Sequence, residues 1–428
     1  MKTITIGFLG MGTVGSGAYE IIRSNGKVIE HRDELCLKVK KALVRNVEKT
    51  RGNGIPKEIL TTDPDEVLND PEIDIVAEFL GGVEPAKTYL LKALQNGKTV
   101  VTANKIVLAN CWPELEQAAK DSGAGLYYEA TVAGGIPIIR TIHCAMQANR
   151  INKIMGIING TTNYILSAMT KEGKDYEEVL KQAQKIGLAE ADPTLDVGGM
   201  DAAFKLSILS SIAFHSKIPV DHVYTEGITK VTAQDIQIGK EMGLTLKLLA
   251  IGKRRGQEVE VRVHPTFIPD EHPLAKIDGA TNAIYLHGDA VGDVMLSGQG
   301  AGGLPTGSAV VSDIVYAAKQ TVHQYATFVN RDVPPSDLLI SNDWKTEYYV
   351  AILAPDRPGV LSAVAGIFAK NGVSIASMIQ KSTGEERVPV IFLTHKSGEQ
   401  SLERAVKEIS EIEDMTVRST IRVEGLDD

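Results

Sequence analysis

Ile4-Thr5-Ile6-Gly7-Phe8-Leu9-Gly10-Met11-Gly12-Thr13-Val14-Gly15 reads as an apolar strand running into G-x-G-x-x-G, with glycines at 10, 12 and 15. In a chain with 40 glycines the pattern alone is weak. Its context gives it meaning, because an apolar strand precedes it and a helix through Ile22 follows. Gly10, Gly12 and Gly15 permit a tight turn and a close approach of backbone to ligand. The helix opening at Thr13 and Val14 offers amides to a pyrophosphate. A plain strand-turn-helix is the alternative.

The alternation continues outward from that loop. Strands are predicted over 37–44, 73–79, 99–102 and 126–129, and a helix over 84–95 ends at Asn96-Gly97, a C-cap signal. Strands alternating with helices predict right-handed βαβ units and an α/β class, here a Rossmann-type doubly wound parallel sheet over residues 1–136. From 137 to 301 the order changes. Helices predicted over 163–170, 176–186, 201–214 and 233–242 precede strands over 245–252, 258–267 and 283–286. This predicts a central α+β domain, an open sheet covered by helices, which the family resemblance stated below makes the substrate-binding and dimerisation domain. A helix over 308–319, within 302–320, is expected to return to the first domain. Residues 332–344, with Pro334-Pro335, read as a linker. Residues 345–428 follow a βαββαβ order, the ferredoxin-like arrangement, expected to be removable without loss of catalysis.

Bulk properties narrow the function classes. The net charge is −9 and aromatic residues make up 5% of the chain, which argues against nucleic acid and anionic membranes as partners. No uncharged run approaches the roughly 20 residues needed to span a bilayer. Three widely spaced cysteines, Cys36, Cys111 and Cys144, suit a reducing compartment. The N-terminus runs straight into the first predicted strand with no secretory leader, so a cytoplasmic location is expected.

Several charged residues stand where chemistry needs them. Asp201 and Lys205 are the only charged residues between 201 and His215, at i and i+4 on an otherwise apolar helix. Burying such a pair costs several kcal/mol unless it is compensated, so either an internal ion pair or a functional site explains it. Glu190 and Asp196 lie in the acid-rich turn before that helix and also read as ordinary loop acids. Lys105 follows the strand over 99–102, at the strand end where such sheets bind ligands, or it is an ordinary surface lysine. Arg45 ends the second strand, with no carboxylate until Glu48. A carboxylate there would suit NAD, and an arginine suits the extra phosphate of NADP; a solvated strand-end arginine is the alternative.

Together, GFLGMGTVGSG, VTANK, NGTTNYIL (159–166) and GLAEADPTLDVGGMDAAFKLSIL (187–209) resemble homoserine dehydrogenase along the whole chain. The resemblance implies reversible reduction of L-aspartate 4-semialdehyde to L-homoserine, a step toward threonine and methionine, with NADP (or NAD) as cofactor. It makes Lys205 the acid/base group and Lys105 its assistant near the nicotinamide. Glu190 and Asp201 would hold the substrate's ammonium, with Asp196 in the same substrate site; apart from the resemblance, the helix start at Gly160 and Thr161 reads as an amide donor to its carboxylate. Gly187 and Gly302 join the cofactor set, Gly302 within a return loop, Gly300-Ala301-Gly302-Gly303, that also reads as a flexible connector.

The segment 129–136 resembles the family loop that holds a monovalent cation, sodium, through carbonyls of Glu129, Val132, Gly134 and Ile136; a glycine hinge is the alternative. The C-terminal unit resembles an ACT domain, with Asp356, Arg357, Pro358 and Gly359 at its strand-helix loop. Pro358 suits a first helical turn and Asp356 a cap. The resemblance implies L-threonine as effector and a homodimer or dimer of dimers; a dimerisation module without ligand is the alternative.

Overall fold

The computed structural model describes residues 1–49, 51, 54–325, 338–380 and 386–425. The linker expected over 332–344 therefore lies partly outside the described residues. The chain forms two compact units: Met1–Ile154 with Ala203–Val223 and Thr281–Leu338, and Met155–Ala202 with Tyr224–Ala280 and Leu339–Asp428.

The first unit carries strands β1 (Lys2–Leu9), β2 (Leu35–Leu43), β3 (Leu60–Thr61), β4 (Ile75–Glu78), β5 (Thr99–Thr102) and β6 (Leu126–Tyr127) in the order β3-β2-β1-β4-β5-β6. All neighbours are parallel, the order of dinucleotide-binding sheets. β4 and β5 are buried along their whole length, as strands covered on both faces require. Helices α1 (Thr13–Asp33), α2 (Asp65–Leu68), α3 (Ala86–Gln95) and α4 (Lys105–Ser122) connect them. β6 stops at Tyr127, before its predicted end, because the chain tightens into a 3-10 turn over Glu129–Thr131. A one-turn helix, α5 (Ile138–Arg140), follows.

β7 (Ile151–Ile157) leads out of this unit. The second unit then holds α6 (Gly160–Glu172), α7 (Tyr176–Lys185) and α8 (Thr194–Val197). α9 (Met200–Ala213) carries Asp201 and Lys205, belongs to the first unit from Ala203 onward, and is buried along nearly its whole length. β8 (Tyr224–Thr225), α10 (Ala233–Glu241) and a long antiparallel pair, β9 (Leu244–Arg255) and β10 (Glu258–Pro269), complete this stretch.

The first unit resumes with a hairpin, β11 (Thr281–Gly288) and β12 (Gly292–Gln299). β12 is absent from the sequence reading because Gly292, Asp293, Gly298 and its half-exposed pattern mask it. The last helix of the unit, α11 (Gly303–Lys319), lies against α1, where Val310 and Ile314 join Ile4, Phe8 and Ala18 in one core. Glycine makes that approach possible: a Cβ on Gly17 would lie 2.1 Å from the Gly303 carbonyl oxygen.

β13 (Leu339–Ile340) and then the βαββαβ module close the second unit. The module comprises β14 (Lys345–Pro355), α12 (Val360–Lys370), β15 (Ile375–Gln380), β16 (Arg387–Thr394), the short β17 (Ser397–Gly398), α13 (Glu399–Ser410) and β18 (Thr416–Val423). Its core gathers Tyr348, Val350, Phe368, Leu402 and Ile409. One expectation for this module needs correcting. α12 begins at Val360, after Gly359 in a left-handed conformation (φ 94). Pro358 therefore precedes the helix, and Asp356 does not cap it but accepts a hydrogen bond from Gln380 (3.0 Å).

Nor is the module a detachable appendage. β18 pairs with β10 in parallel, Thr266 opposite Arg422. Glu424, fully buried, accepts from Lys253 (2.7 Å) and from Arg262. Removing residues from 345 onward would leave two buried cations without that carboxylate, a costly outcome.

Candidate active site

The turn after β1 is shaped by absent side chains. Gly10 has φ +110 and donates to the Leu43 carbonyl (3.0 Å), which ties the loop to the end of β2. A Cβ on Gly15 would sit 2.6 Å from the Gly10 carbonyl oxygen, so glycine is required there. A Cβ on Gly12 would meet no protein atom within 4 Å; the space it leaves opens to solvent before the α1 N-terminus. α1 has no side-chain cap and no acid in its first turn, which leaves its dipole end open to an anion.

Around that loop the first unit gathers further residues. Gly302 (φ +119) precedes α11, and a Cβ on Gly303 would lie 3.0 Å from the Thr13 carbonyl oxygen, so this segment borders the α1 start. Arg45 is exposed two residues beyond Leu43. Glu48, the first carboxylate after it, accepts from Lys57 (2.8 Å).

Lys105 is half-buried as the first residue of α4. Its position follows from a polar knot absent from the sequence reading. Asn104 caps α4 by accepting from the Val107 amide (3.1 Å), and its side-chain nitrogen donates to Gly82 (2.8 Å) and Glu78 (3.3 Å). Glu78, fully buried at the end of β4, also accepts from the Thr102 hydroxyl (2.6 Å) and the Leu80 amide (2.6 Å). Burial pushes its carboxyl upward, and these hydrogen bonds pull against it. A lone carboxylate closing the run Ile75-Val76-Ala77-Glu78 was the available signal.

Apart from exposed Gly135, the loop 129–136 is buried and sharply turned, with Ala133 (φ 54) and Gly134 (φ 48) both left-handed. A Cβ at Gly134 would lie 2.6 Å from the Gly300 carbonyl oxygen. The Glu129 carboxylate accepts from the Ile139 (2.8 Å) and Arg140 (2.7 Å) amides, and the Glu129 amide donates to Asp313 (2.8 Å). Burial, then the nearby Asp313 charge, raises the Glu129 carboxyl to about 7.

In the second unit Asn159 is the organising residue. Its side-chain oxygen accepts from the Thr162 amide (2.8 Å), capping α6, while its nitrogen donates to Asp196 (2.7 Å) and Asp201 (2.9 Å). Two acids, 37 and 42 residues further along the chain, thus meet on one amide. Asn-Gly-Thr-Thr is a readable N-cap signal, but its second role is not local and needs the fold. Gly160 follows, where a Cβ would lie 2.8 Å from the Ala280 carbonyl oxygen. The Thr161 hydroxyl donates to the Leu188 carbonyl (3.3 Å). Glu190 lies outside this hub on an exposed loop, as does Gly187 (φ +75). Asp201 (6% exposed) and Lys205 (9% exposed) sit one turn apart along α9.

A parallel sheet of this order with an open glycine loop, joined to a helix of buried ionisable groups, defines an NAD(P)-dependent oxidoreductase. Family profiles narrow the class: homoserine dehydrogenase NAD-binding domain over residues 10–129, homoserine dehydrogenase over 137–315 and ACT domain over 348–414. A homoserine dehydrogenase of Bacillus subtilis is 41% identical over 431 residues, 99% of each chain. The crystal structure of a homoserine dehydrogenase from Thiobacillus denitrificans superposes with a TM-score of 0.91 at 42% identity, covering 100% of this chain and 99% of that one. A hyperthermophilic archaeal homoserine dehydrogenase in complex with NADPH matches 74% of this chain and 98% of its own, at 28% identity and a TM-score of 0.64. The chain belongs to the homoserine dehydrogenase family. No helix among the described residues is long and apolar enough to cross a membrane.

Proposed function

We propose that Lys205 is the acid/base group for the reversible reduction of L-aspartate 4-semialdehyde to L-homoserine, with NADP(H) the preferred cofactor. The observation that carries this is a lysine 9% exposed on a helix whose other charged side chain is Asp201. The reduced nicotinamide, when bound, supplies the hydride. Lys205 then gives its proton to the carbonyl oxygen as negative charge grows there, and takes it back in the oxidative direction. Lys105, set at the helix start by the Glu78 knot, polarises the same carbonyl.

Asp201 and Asp196, gathered on Asn159, face the substrate ammonium together with Glu190, and the α6 start at Gly160 and Thr161 takes its carboxylate. Acids and helix dipole therefore sit on one residue, as an amino-acid substrate requires. Gly10, Gly12, Thr13, Val14 and Gly15 receive the pyrophosphate, with Gly187 and Gly302 closing on the cofactor and Arg45 on the adenosine phosphate. The Lys57 hold on Glu48 favours NADP over NAD, and the archaeal relative forms a complex with NADPH.

The loop 129–136 fits a sodium ion held by carbonyls of Glu129, Val132, Gly134 and Ile136. The support is a largely buried, tightly turned backbone in which Gly134 lies so close to the Gly300 backbone that no Cβ fits. Residues 1–136, 137–301 and 345–428 serve as cofactor, substrate and regulatory domains of a cytoplasmic homodimer, with L-threonine sensed at 356–359. The deciding assay follows NADPH absorbance on adding L-aspartate 4-semialdehyde. Loss of absorbance, faster with sodium than without it, is expected; no loss would remove the reading.

A further inference from the structure

The two acids gathered on Asn159 stand at the ends of one short connection. Asp196 belongs to α8 and Asp201 to the first turn of α9, with residues 197–200 between them. Backbone from elsewhere in the second unit grips that connection. A Cβ on Gly227 would collide with the Val197 carbonyl oxygen and would lie 2.6 Å from the Gly198 Cα. The Ile228 amide donates to the same Val197 carbonyl (2.9 Å). At Gly199 (φ +86) a Cβ would lie 3.1 Å from the Thr225 side chain and 3.4 Å from the Glu226 carbonyl oxygen. The segment Thr225–Ile228 therefore lies against residues 197–199, main chain on main chain. Close-packed atoms leave no slack, so a shift of one segment reaches the other.

Thr225–Ile228 is held in turn by one arginine of the last strand. Arg422, 5% exposed, donates to the Glu226 carboxylate, to Glu399 of α13 and to the Tyr224 hydroxyl (2.8 Å). The Tyr224 hydroxyl donates to Glu226 (3.2 Å), and the Arg422 guanidinium lies 5.1 Å from the Tyr224 ring centre. A planar fork of donors can serve two carboxylates and a hydroxyl at once, which a point charge on a lysine does poorly. The contacts then run without a break from Arg422 to Glu226, across Gly227 to Val197, and so to Asp196 beside it. Asp201 lies two residues beyond Gly199 at the other end of the same connection.

We propose that Arg422 is a positioning residue for the substrate acids: through Glu226 it fixes Thr225–Ile228, and through that segment it sets Asp196 and Asp201. The proposal rests on the reading of those acids as the substrate's ammonium site. It makes the last strand of the C-terminal module a support of substrate binding whether or not any effector is present.

The test uses the full chain. Glu226→Ala cuts the link while Arg422 keeps Glu399, so no buried charge is left alone. KM for L-aspartate 4-semialdehyde is expected to rise about tenfold, with kcat changing less than about twofold. NADPH affinity, by fluorescence titration, and the thermal midpoint should stay near parent values. Glu226→Gln keeps an acceptor for Arg422 and loses the charge, so its KM should rise only about threefold. Arg418→Ala removes a different contact of β18, with Gln234 of α10 (2.7 Å), and should leave KM as in the parent. A parent-like KM in both Glu226 variants would overturn the proposal. So would NADPH affinity and thermal stability falling in step with the KM change, the mark of a general structural role. Asn159→Asp tells the two failures apart. An unchanged KM there as well would remove the substrate reading itself, whereas a raised KM there beside parent-like Glu226 variants would remove Arg422 alone.

Discussion

At Gly15 and Gly17 the first unit leaves side chains out, so that backbone meets backbone and a helix end faces open space. At Asn159 and Glu424 the second unit does the reverse, gathering charged side chains from distant segments onto one buried group. The first arrangement is rigid because atoms of the main chain are in contact, and substitution adds volume that cannot be absorbed. The second is rigid because each polar group is satisfied by another, and substitution leaves a partner stranded. A dinucleotide pyrophosphate needs amides and room, which backbone provides. An amino-acid substrate needs both signs of charge in fixed places, which only side chains and helix ends provide together.

The contrast breaks most severely at Lys205. Lys205→Ala should lower turnover by about 10²–10⁴-fold, the usual worth of a positioned acid/base group, while NADPH binding measured by fluorescence titration stays as in the parent. Near-normal turnover would mean that the buried amine is structural.

The next largest effect is expected at Glu424. Burial works to raise its pKa, but the Arg262 and Lys253 charges hold the carboxyl down to about 2. A depressed carboxylate stabilises the fold above its unfolded value of roughly 4.3, and that contribution disappears as pH falls toward 2. Glu424→Gln should therefore cost about 3–5 kcal/mol near neutral pH. The gap between parent and variant in urea unfolding should narrow once the medium is more acidic than pH 4. A gap that stays constant would show that the ion pairs are not what holds β18 to β10.

Gly17→Ala and Gly12→Ala separate packing from binding within one loop. Alanine at 17 collides with the Gly303 carbonyl and should cost about 1–3 kcal/mol, the range for overpacking, read as a lower thermal midpoint. Alanine at 12 meets no protein atom, so the midpoint should hold while NADPH affinity drops. Equal midpoints for both variants would show that the helix approach at Gly17 is tolerant. Asn159→Asp makes the matching test on the hub. Aspartate still caps α6, yet it brings a third carboxylate against Asp196 and Asp201. KM for the semialdehyde should rise about tenfold with kcat less affected; an unchanged KM would detach the hub from substrate.

The legibility of the two regions in sequence follows from the same contrast. The glycine loop is contiguous, so Gly10 to Gly15 announced both the parallel sheet and the cofactor class, and Asp201 with Lys205 stood out on one apolar helix. The hub was not legible as a hub. Asp196 and Asp201 were visible as acids, but the amide that joins them sits 37 and 42 residues earlier. Glu78 and Asn104 belong to separate strand ends that only the register of β4 and β5 brings side by side. The αL conformation of Gly359 was hidden for a different reason: proline and aspartate before a helix suggest a cap, and the chain used glycine instead.

The smallest effect is the one that tests how far a backbone-built site still depends on a side chain. Arg45 is exposed and lies beyond the end of β2, so it contributes little to folding. On the proposed reading its charge matters only toward a ligand carrying an extra phosphate. Arg45→Ala should leave thermal stability and NADH affinity near parent values and reduce the preference for NADPH over NADH by about tenfold, equivalent to one exposed charge-assisted contact. If both cofactors weaken equally, the arginine is holding the loop rather than reading the phosphate. If neither changes, cofactor choice is made elsewhere in the first unit, and Lys57 with Glu48 becomes the pair to alter next.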